Sequence, residues 1–106
     1  MAVDLGTERA IMFGTSLTVR APKDWIAREK LVKGNYVWCS PVRGGIRYGA
    51  LFDQASRGDR QLKIRGKHAT LFLTLPAEYA RNAGIAVGDV VRLRADRQAL
   101  YVRREG

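Results

Sequence analysis

The sequence predicts a mostly β domain with two short helices, in which two copies of one unit pack together. Three features favour this fold class: an internal repeat, alternating apolar and polar residues around each helix, and a proline at the start of each helix. The 106 residues are near the usual size of one domain, and 46% of them are hydrophobic, enough for a core without a disulfide or a metal. We therefore expect a single domain over residues 1–106.

The repeat appears when the sequence is shifted by 54 residues. The segment LTVRAPKDWIAREKLVKGNYV (17–37) then aligns without a gap with LFLTLPAEYARNAGIAVGDVV (71–91). The identical pairs are Leu17 and Leu71, Pro22 and Pro76, Gly34 and Gly88, Val37 and Val91. We expect repeats over about 8–52 and 61–104, joined by a polar linker at about 53–60.

Each repeat is predicted to contain two strands, a helix of about two turns and two further strands. Proline is tolerated in the first turn of a helix, so Pro22 and Pro76 indicate where the helices begin. Gly84 indicates a left-handed helix end. Lys30 stands at the equivalent position, so the first helix must end differently or with strain.

The first strands are predicted at ERAIMFG (8–14) and RQLKIRG (60–66). The sequence leaves open how these two strands align with each other in the repeat. The offset of 54 aligns Gly14 with His68, whereas aligning Gly14 with Gly66 makes the second turn two residues longer. A pair of hairpins with one short helix leaves an apolar face uncovered. Two such units would cover each other, which explains the repeat.

The second repeat resembles the AbrB/SpoVT family of swapped-hairpin DNA-binding domains, which includes the MazE-type antitoxins. The resemblance rests on LTLPAEYARNAGIAVGDVVRLRADRQALYVRR: an apolar-Pro strand end, an amphipathic helix, a Gly-Ile helix end and a Gly-Asp turn before the last hairpin. The first repeat matches in outline, through GTSLTVRAPKDW, and departs at Lys30 and Asn35. The similarity covers about 17–48 and 62–104. It implies a swapped-hairpin β-barrel formed as a single-chain pseudo-dimer.

The charge of the chain suggests a nucleic-acid partner. There are 19 Lys and Arg against 10 Asp and Glu, a net charge of +9. Residues 1–53 carry eight basic against five acidic side chains, and residues 54–106 carry eleven against five. Such a surplus is typical of nucleic-acid-binding domains. The alternative on charge alone is a merely soluble basic protein.

The resemblance implies a transcriptional regulator that binds double-stranded DNA through its first strands, first hairpin turns and helix starts. Arginine at a strand tip can read guanine, and lysine positions a protein on phosphates. The candidate DNA-binding residues are Arg9 (expected before the first strand), Arg20, Lys23, Arg60, Lys63, Arg65, Lys67, His68 and Arg81. Because equivalent positions differ between the repeats, two unlike half-sites are predicted.

Several of the polar and aromatic residues have structural interpretations instead. Lys23 and Arg28 could be ordinary solvated helix charges, and His68 a polar turn residue. Trp25 and Tyr79 are predicted core anchors, and Cys39 a buried strand residue. Trp38 is predicted to be exposed or at an interface. The late-hairpin arginines are interpreted as surface or partner-facing: Arg92, Arg94, Arg103 and Arg104.

Catalysis has little support in the sequence. One His and one Cys make no metal-ligand cluster of the usual spacing, and neither a phosphate-cradling glycine loop nor a nucleophile elbow is found. We expect no enzyme activity, no cofactor and no small-molecule substrate. No apolar run of about 20 residues and no signal-peptide pattern occurs, so we expect a cytoplasmic protein without membrane contact.

Three other functions remain as alternatives. An antitoxin would be expected to carry a C-terminal segment that wraps its toxin. Only two residues follow Arg104, so this function is disfavoured. A small protein-binding module, such as a viral or phage factor that grips a host protein, and a sequence-independent chromatin protein are both compatible with the charge. Unpaired edge strands could also allow further homodimerisation.

Overall fold

The described residues of the computed structural model, 2–50 and 60–105, contain ten strands and two seven-residue helices. The first half contains β1 (Val3–Arg9), β2 (Ile11–Phe13), β3 (Ser16–Arg20), α1 (Lys23–Glu29), β4 (Tyr36–Val42) and β5 (Gly45–Ala50). The second half contains β6 (Arg60–Lys63), β7 (Arg65–Lys67), β8 (Thr70–Thr74), α2 (Ala77–Ala83), β9 (Val90–Ala95) and β10 (Leu100–Arg104). The expected linker lies outside the described residues, except for Arg60, which begins β6.

Two antiparallel sheets carry these strands. One has six strands in the order β1-β9-β10-β5-β4-β6, and the other has four in the order β2-β3-β8-β7. The first strand of each half therefore pairs with the late hairpin of the other half: β1 with β9, and β6 with β4. The prediction of a mostly β protein with two short helices is confirmed.

The predicted first strands were wrong in extent, because each is divided between the two sheets. The division falls at Ala10 and Ile64, which are 0% and 1% exposed. The Ala10 N–H donates to the carbonyl of Asp89 at 2.8 Å, and the Ile64 N–H donates to that of Asn35 at 2.7 Å. Arg9 accordingly ends β1 instead of preceding a strand. Apolar alternation reports burial along a strand, not which sheet it joins.

The strand pairings of the two halves correspond at the offset of 54 residues. The pair Arg9–Val90 corresponds to the pair Lys63–Tyr36. The pair Ile11–Thr18 corresponds in the same way to Arg65–Phe72. Val19 pairs with Leu73, its own equivalent, where the two halves meet in the four-stranded sheet. Gly14 is therefore equivalent to His68 and not to Gly66. Both turn residues have positive φ, 63° and 57°.

The two helices end in the same conformation. Lys30 has φ 55° and Gly84 has φ 73°, and in both the N–H of this residue bonds back to the last helical turn. Of the two outcomes expected from the missing glycine, a different helix end or strain, the different end is not observed. Instead Lys30 adopts the left-handed conformation, which costs a residue with a Cβ about 1–2 kcal/mol.

The turns after the helices are also alike despite their different residues. The Asn35 side-chain oxygen accepts the N–H of Val32 at 2.9 Å, and the Asp89 carboxylate accepts the N–H of Ala86 at 2.8 Å. Asparagine and aspartate share this acceptor, which suits both to turns. The departure at Asn35 therefore leaves the turn intact.

One hydrophobic cluster joins both sheets and both helices. Trp25 and Tyr79 are 2% and 8% exposed, as predicted for core anchors, and Cys39 is buried. Tyr48 on β5 crosses the core, where its hydroxyl donates to the carbonyl of Thr74 on β8 at 2.6 Å. This hydrogen bond ties the six-stranded sheet to the four-stranded one.

Candidate nucleic-acid interface

A groove between α1 and the β7–β8 turn is lined by three cations, one from β3 and two from the ends of α1. Arg20 ends β3, Lys23 begins α1, and Lys30 follows the end of that helix. The opposite wall is the start of β8 with Ala69, and the groove has a volume of about 490 Å³. We call this the basic groove. Its floor is apolar: Ala21, Ile26, Leu31 and Leu71.

The rim of the basic groove continues onto the second hairpin. Lys67 and His68 immediately precede Ala69, and both are exposed. The stem of Lys33 crosses β7 so closely that a Cβ on Gly66 would lie 3.1 Å from its Cδ. Glycine at position 66 thus gives Lys33 room beside the same hairpin. Six side chains of basic type therefore lie in or beside the basic groove: Arg20, Lys23, Lys30, Lys33, Lys67 and His68.

The charges lining the groove are mostly available to a partner. The side chain of Arg20 is 60% exposed, and its Nε lies 4.0 Å from the Glu8 carboxylate. An exposed pair at this distance contributes little to stability. Both Lys23 and Lys30 are exposed. An anionic ligand could therefore meet these cations without breaking a strong ion pair.

Arg65 lies on the same hairpin but reaches towards the other half. Its guanidinium carbon lies 4.6 Å from the ring centroid of Phe13, and it donates to the Ser16 hydroxyl at 3.0 Å. The Phe13 ring packs against Phe72 with centroids 5.2 Å apart. Stacking on an aromatic ring suits the planar guanidinium. Arg65 therefore helps to hold the two hairpins together, and it keeps further donors for a ligand.

Four other predicted residues do not line the basic groove. Arg9 donates to the carbonyl of Gly88 at 2.6 Å. Lys63 lies 5.9 Å from the ring centroid of Tyr36, and Arg60 lies 6.0 Å from that of Tyr79. Arg81 lies in a second groove, described next. The predicted set is thus spread over several surfaces rather than gathered in one.

The second groove occupies the equivalent place in the other half, between α2 and the β2–β3 turn. It has a volume of about 710 Å³ and is lined by Met12, Leu17, Leu75, Ala80 and Ile85 together with Arg81. We call it the apolar groove. Its positions equivalent to the three cations of the basic groove hold Thr74, Ala77 and Gly84. The two halves therefore present chemically different grooves on similar backbones.

Sequence reasoning missed two cations of this surface, Lys30 and Lys33. A usable signal existed for Lys30, because it stands seven residues after Lys23 and residues at that spacing share a helix face. Lys33 gave no such signal, since its place beside Gly66 results from the packing of α1's connection against β7.

Within the described ranges, neither a metal-ligand group nor a membrane-spanning helix is present. Residues 2–50 and 60–105 hold no group of three or more His, Cys, Asp or Glu that could bind a metal ion. In the same ranges, the helices are too short and too polar to cross a bilayer.

No protein-family model, curated protein or solved structure matches the chain. The resemblance to the AbrB/SpoVT family therefore stays a prediction. Functional assignment rests on the chemistry of the two grooves and the strand pairing.

Proposed function

We propose that the protein is a cytoplasmic transcriptional regulator that binds double-stranded DNA with the basic groove and the adjoining β7–β8 hairpin. The observation that carries this proposal is the convergence of Arg20, Lys23 and Lys30 beside the turn that bears Lys67 and His68. Lysine and arginine side chains contact the phosphates of a duplex, and a two-stranded ribbon fits its major groove. The lysines would position the protein, and Arg20 and Arg65 would be able to contact bases.

The proposed architecture is a swapped-hairpin barrel of the AbrB type, formed by one chain as a pseudo-dimer. Support comes from the exchange of first strands between the halves, β1 to β9 and β6 to β4. Further support comes from the equivalent pairings at the offset of 54 residues, with Val19 opposite Leu73 at their centre. In this arrangement the basic and apolar grooves are two versions of one DNA-facing position.

The difference between the grooves supports recognition of two unlike half-sites. The basic groove would supply most phosphate contacts, whereas the apolar groove offers Arg81 and no cation at the three equivalent positions. A chain whose two grooves bind DNA with different strength would gain no affinity from two identical half-sites. Footprinting on sequences selected from a random DNA pool should show protection centred on one side of the site; a strictly palindromic footprint would contradict unlike half-sites.

Removing charge from the basic groove should weaken DNA binding uniformly across sequences. We expect Lys23→Gln with Lys67→Gln to lower affinity in a gel shift and to reduce the slope of log affinity against log salt by about 2, one per lost phosphate contact. For the wild type, about six phosphate contacts would lower affinity roughly a thousandfold between about 50 and 200 mM salt.

The matched control removes the same charge elsewhere. Arg43→Gln with Arg97→Gln alters two exposed residues in turns of the late hairpins, and duplex binding should then stay close to that of wild type. The proposal would be contradicted if the wild type gave no gel shift at low salt, or if the control variant lost as much duplex affinity as the lysine variant. Binding that non-specific competitor DNA removes would instead identify a sequence-independent chromatin protein.

A further inference from the structure

The outer face of the six-stranded sheet carries a second concentration of arginine. Side chains alternate between faces along a strand, so residues that flank buried ones lie outside. Across the central strands, Arg94 pairs with Tyr101, and Tyr101 pairs with Arg47. In the adjacent row, Arg92 pairs directly with Arg103. We call these five residues the arginine face.

Like charges directly opposite each other destabilise a sheet, and the Arg92–Arg103 pair is such a contact. Arg92 is compensated, because it bonds to the carboxylates of Glu105 at 2.7 Å and Asp4 at 2.9 Å. Arg94, opposite Asp4 on β1, remains exposed. A cleft of about 510 Å³ is lined by these arginines and carboxylates together with Tyr101 and Arg103. The face therefore holds positive charge around a space large enough for a ligand.

The Arg103 side chain lies close to Gly45 on the neighbouring strand. A Cβ at Gly45 would lie 2.8 Å from Arg103 Cγ and closer still to the carbonyl oxygen of Val102, so the absence of a side chain at position 45 makes room for both the backbone and the arginine stem. The guanidinium donates to the carbonyl of Arg43 in the β4–β5 turn. It also lies 6.0 Å from the ring centroid of Tyr101. This places a guanidinium near the ring in a defined position, and its remaining N–H groups are free to donate.

Tyr101 lies between two arginines in its row, and its ring is partly exposed. Burial, and after it the nearby Asp96 carboxylate, raises the pKa of the Tyr101 hydroxyl. Asp96 accepts the backbone N–H groups of Gln98 and Ala99, both at 2.8 Å. The carboxylate close to the hydroxyl is thus held in place by its own turn.

We propose that the arginine face binds single-stranded nucleic acid, with phosphates on its arginines and a base stacked on Tyr101. The combination of a charged path for the backbone and an aromatic ring among the charges is what non-specific single-strand binding requires. A duplex keeps its bases stacked inside, so it could use the arginines but not the ring. The inference does not depend on the basic groove and holds whether or not that groove binds duplex DNA.

The test is fluorescence anisotropy on the full chain with a labelled single-stranded oligonucleotide of mixed sequence, about 12 nucleotides long. We expect Arg94→Gln with Arg103→Gln to weaken this binding about tenfold or more at low salt. Tyr101→Leu should weaken it roughly 5- to 150-fold, the range of base–aromatic stacking, whereas Tyr101→Phe, which keeps the ring, should retain it. Circular dichroism on each variant checks that the sheet is intact.

Two controls separate this site from the proposed duplex site. Lys23→Gln with Lys67→Gln removes two charges from the basic groove and should leave single-strand affinity within about twofold of wild type. An unlabelled duplex in excess should displace the labelled strand less than an equal excess of unlabelled single strand does, because the duplex cannot use the Tyr101 ring. Equal displacement by the two competitors, equal loss of single-strand affinity in the lysine variant, or an arginine variant that loses duplex but not single-strand binding would each overturn the inference. If the wild-type chain bound no duplex but kept Tyr101-dependent single-strand binding, only the proposed function would be overturned.

Discussion

At the scale of single residues, the two halves tolerate different side chains at positions with the same backbone conformation. Lys30 and Gly84 both adopt the left-handed conformation at a helix end, and His68 and Gly14 do so in a hairpin turn. Glycine reaches this region without a steric cost, whereas lysine and histidine do not. The more basic residue in each pair lies at or beside the basic groove. These strained backbone positions thus lie at or beside the basic groove, and such positions often cluster at binding sites.

Relief of that strain should stabilise the protein. We expect Lys30→Gly to raise the free energy of unfolding by about 1 kcal/mol, which corresponds to a rise in Tm of roughly 4–8 °C for a domain of this size. Thermal unfolding followed by circular dichroism measures the change. Lys30→Ala removes the same charge but keeps a Cβ, so its Tm should not rise in the same way. Equal stabilisation by both variants would assign the effect to charge instead of backbone strain.

At the scale of elements, the edge strand β1 is tied to the late hairpin by charge as well as by backbone pairing. Arg92 on β9 bridges Asp4 on β1 and Glu105 after β10. Hydrogen bonding to Arg92 lowers the pKa of the Glu105 carboxyl. The pKa of Asp4 is lowered as well, first by the N–H of Gly6 and then by Arg92. Both carboxylates therefore favour the folded state only while they are ionised.

Because the pKa values of Asp4 and Glu105 are lowered in the folded state, the stability of the fold should decrease in acid. A carboxyl whose pKa is lower in the folded state stabilises the fold above its ordinary pKa, which is 4.5 for Glu105, and loses that contribution as the pH falls through the lowered value. We expect Arg92→Gln to reduce stability slightly at neutral pH and to flatten the fall in stability below about pH 4.5. Urea unfolding at several pH values measures both. Arg97→Gln, in the exposed β9–β10 turn, should keep the wild-type pH profile.

At the scale of the whole molecule, each half supplies a strand that the other half needs. β1 contacts β9 extensively, and β6 pairs with β4 over four residues. The shared core includes Val19 and Leu73 at the centre of the four-stranded sheet. Neither half can satisfy these backbone groups or cover its apolar face by itself. Cooperative folding of the two halves is the expected consequence.

Separate halves should therefore not fold as monomers. We expect fragments 1–53 and 54–106, expressed alone, to show little native circular dichroism as monomers, and mixing them to restore it with a 1:1 complex on size-exclusion chromatography. A half that pairs with a second copy of itself would use the same equivalent pairings. A stably folded monomeric half would show that the strand exchange contributes little to the fold.

The local chemistry of the chain was readable from its sequence because short-range patterns have short-range causes. The positions of Pro22 and Pro76 predict where both helices begin, and the Gly34 and Gly88 turns have the positive φ of 94° and 90° that glycine permits. The aromatic residues after the prolines predict the core anchors. The apolar positions common to both repeats predict which strand faces are buried.

Only the tertiary structure decided how these elements meet. The division of each first strand at Ala10 and Ile64 depends on which sheet offers a partner, and alternation is the same on either side of the division. The basic groove likewise depends on long-range packing, which brings α1 to a turn about forty residues away in sequence and adds Lys30 and Lys33 to its surroundings. By itself the sequence determined the units and their charges, since those follow from neighbouring residues; the fold decided which charges share a surface, because that depends on contacts between distant parts of the chain.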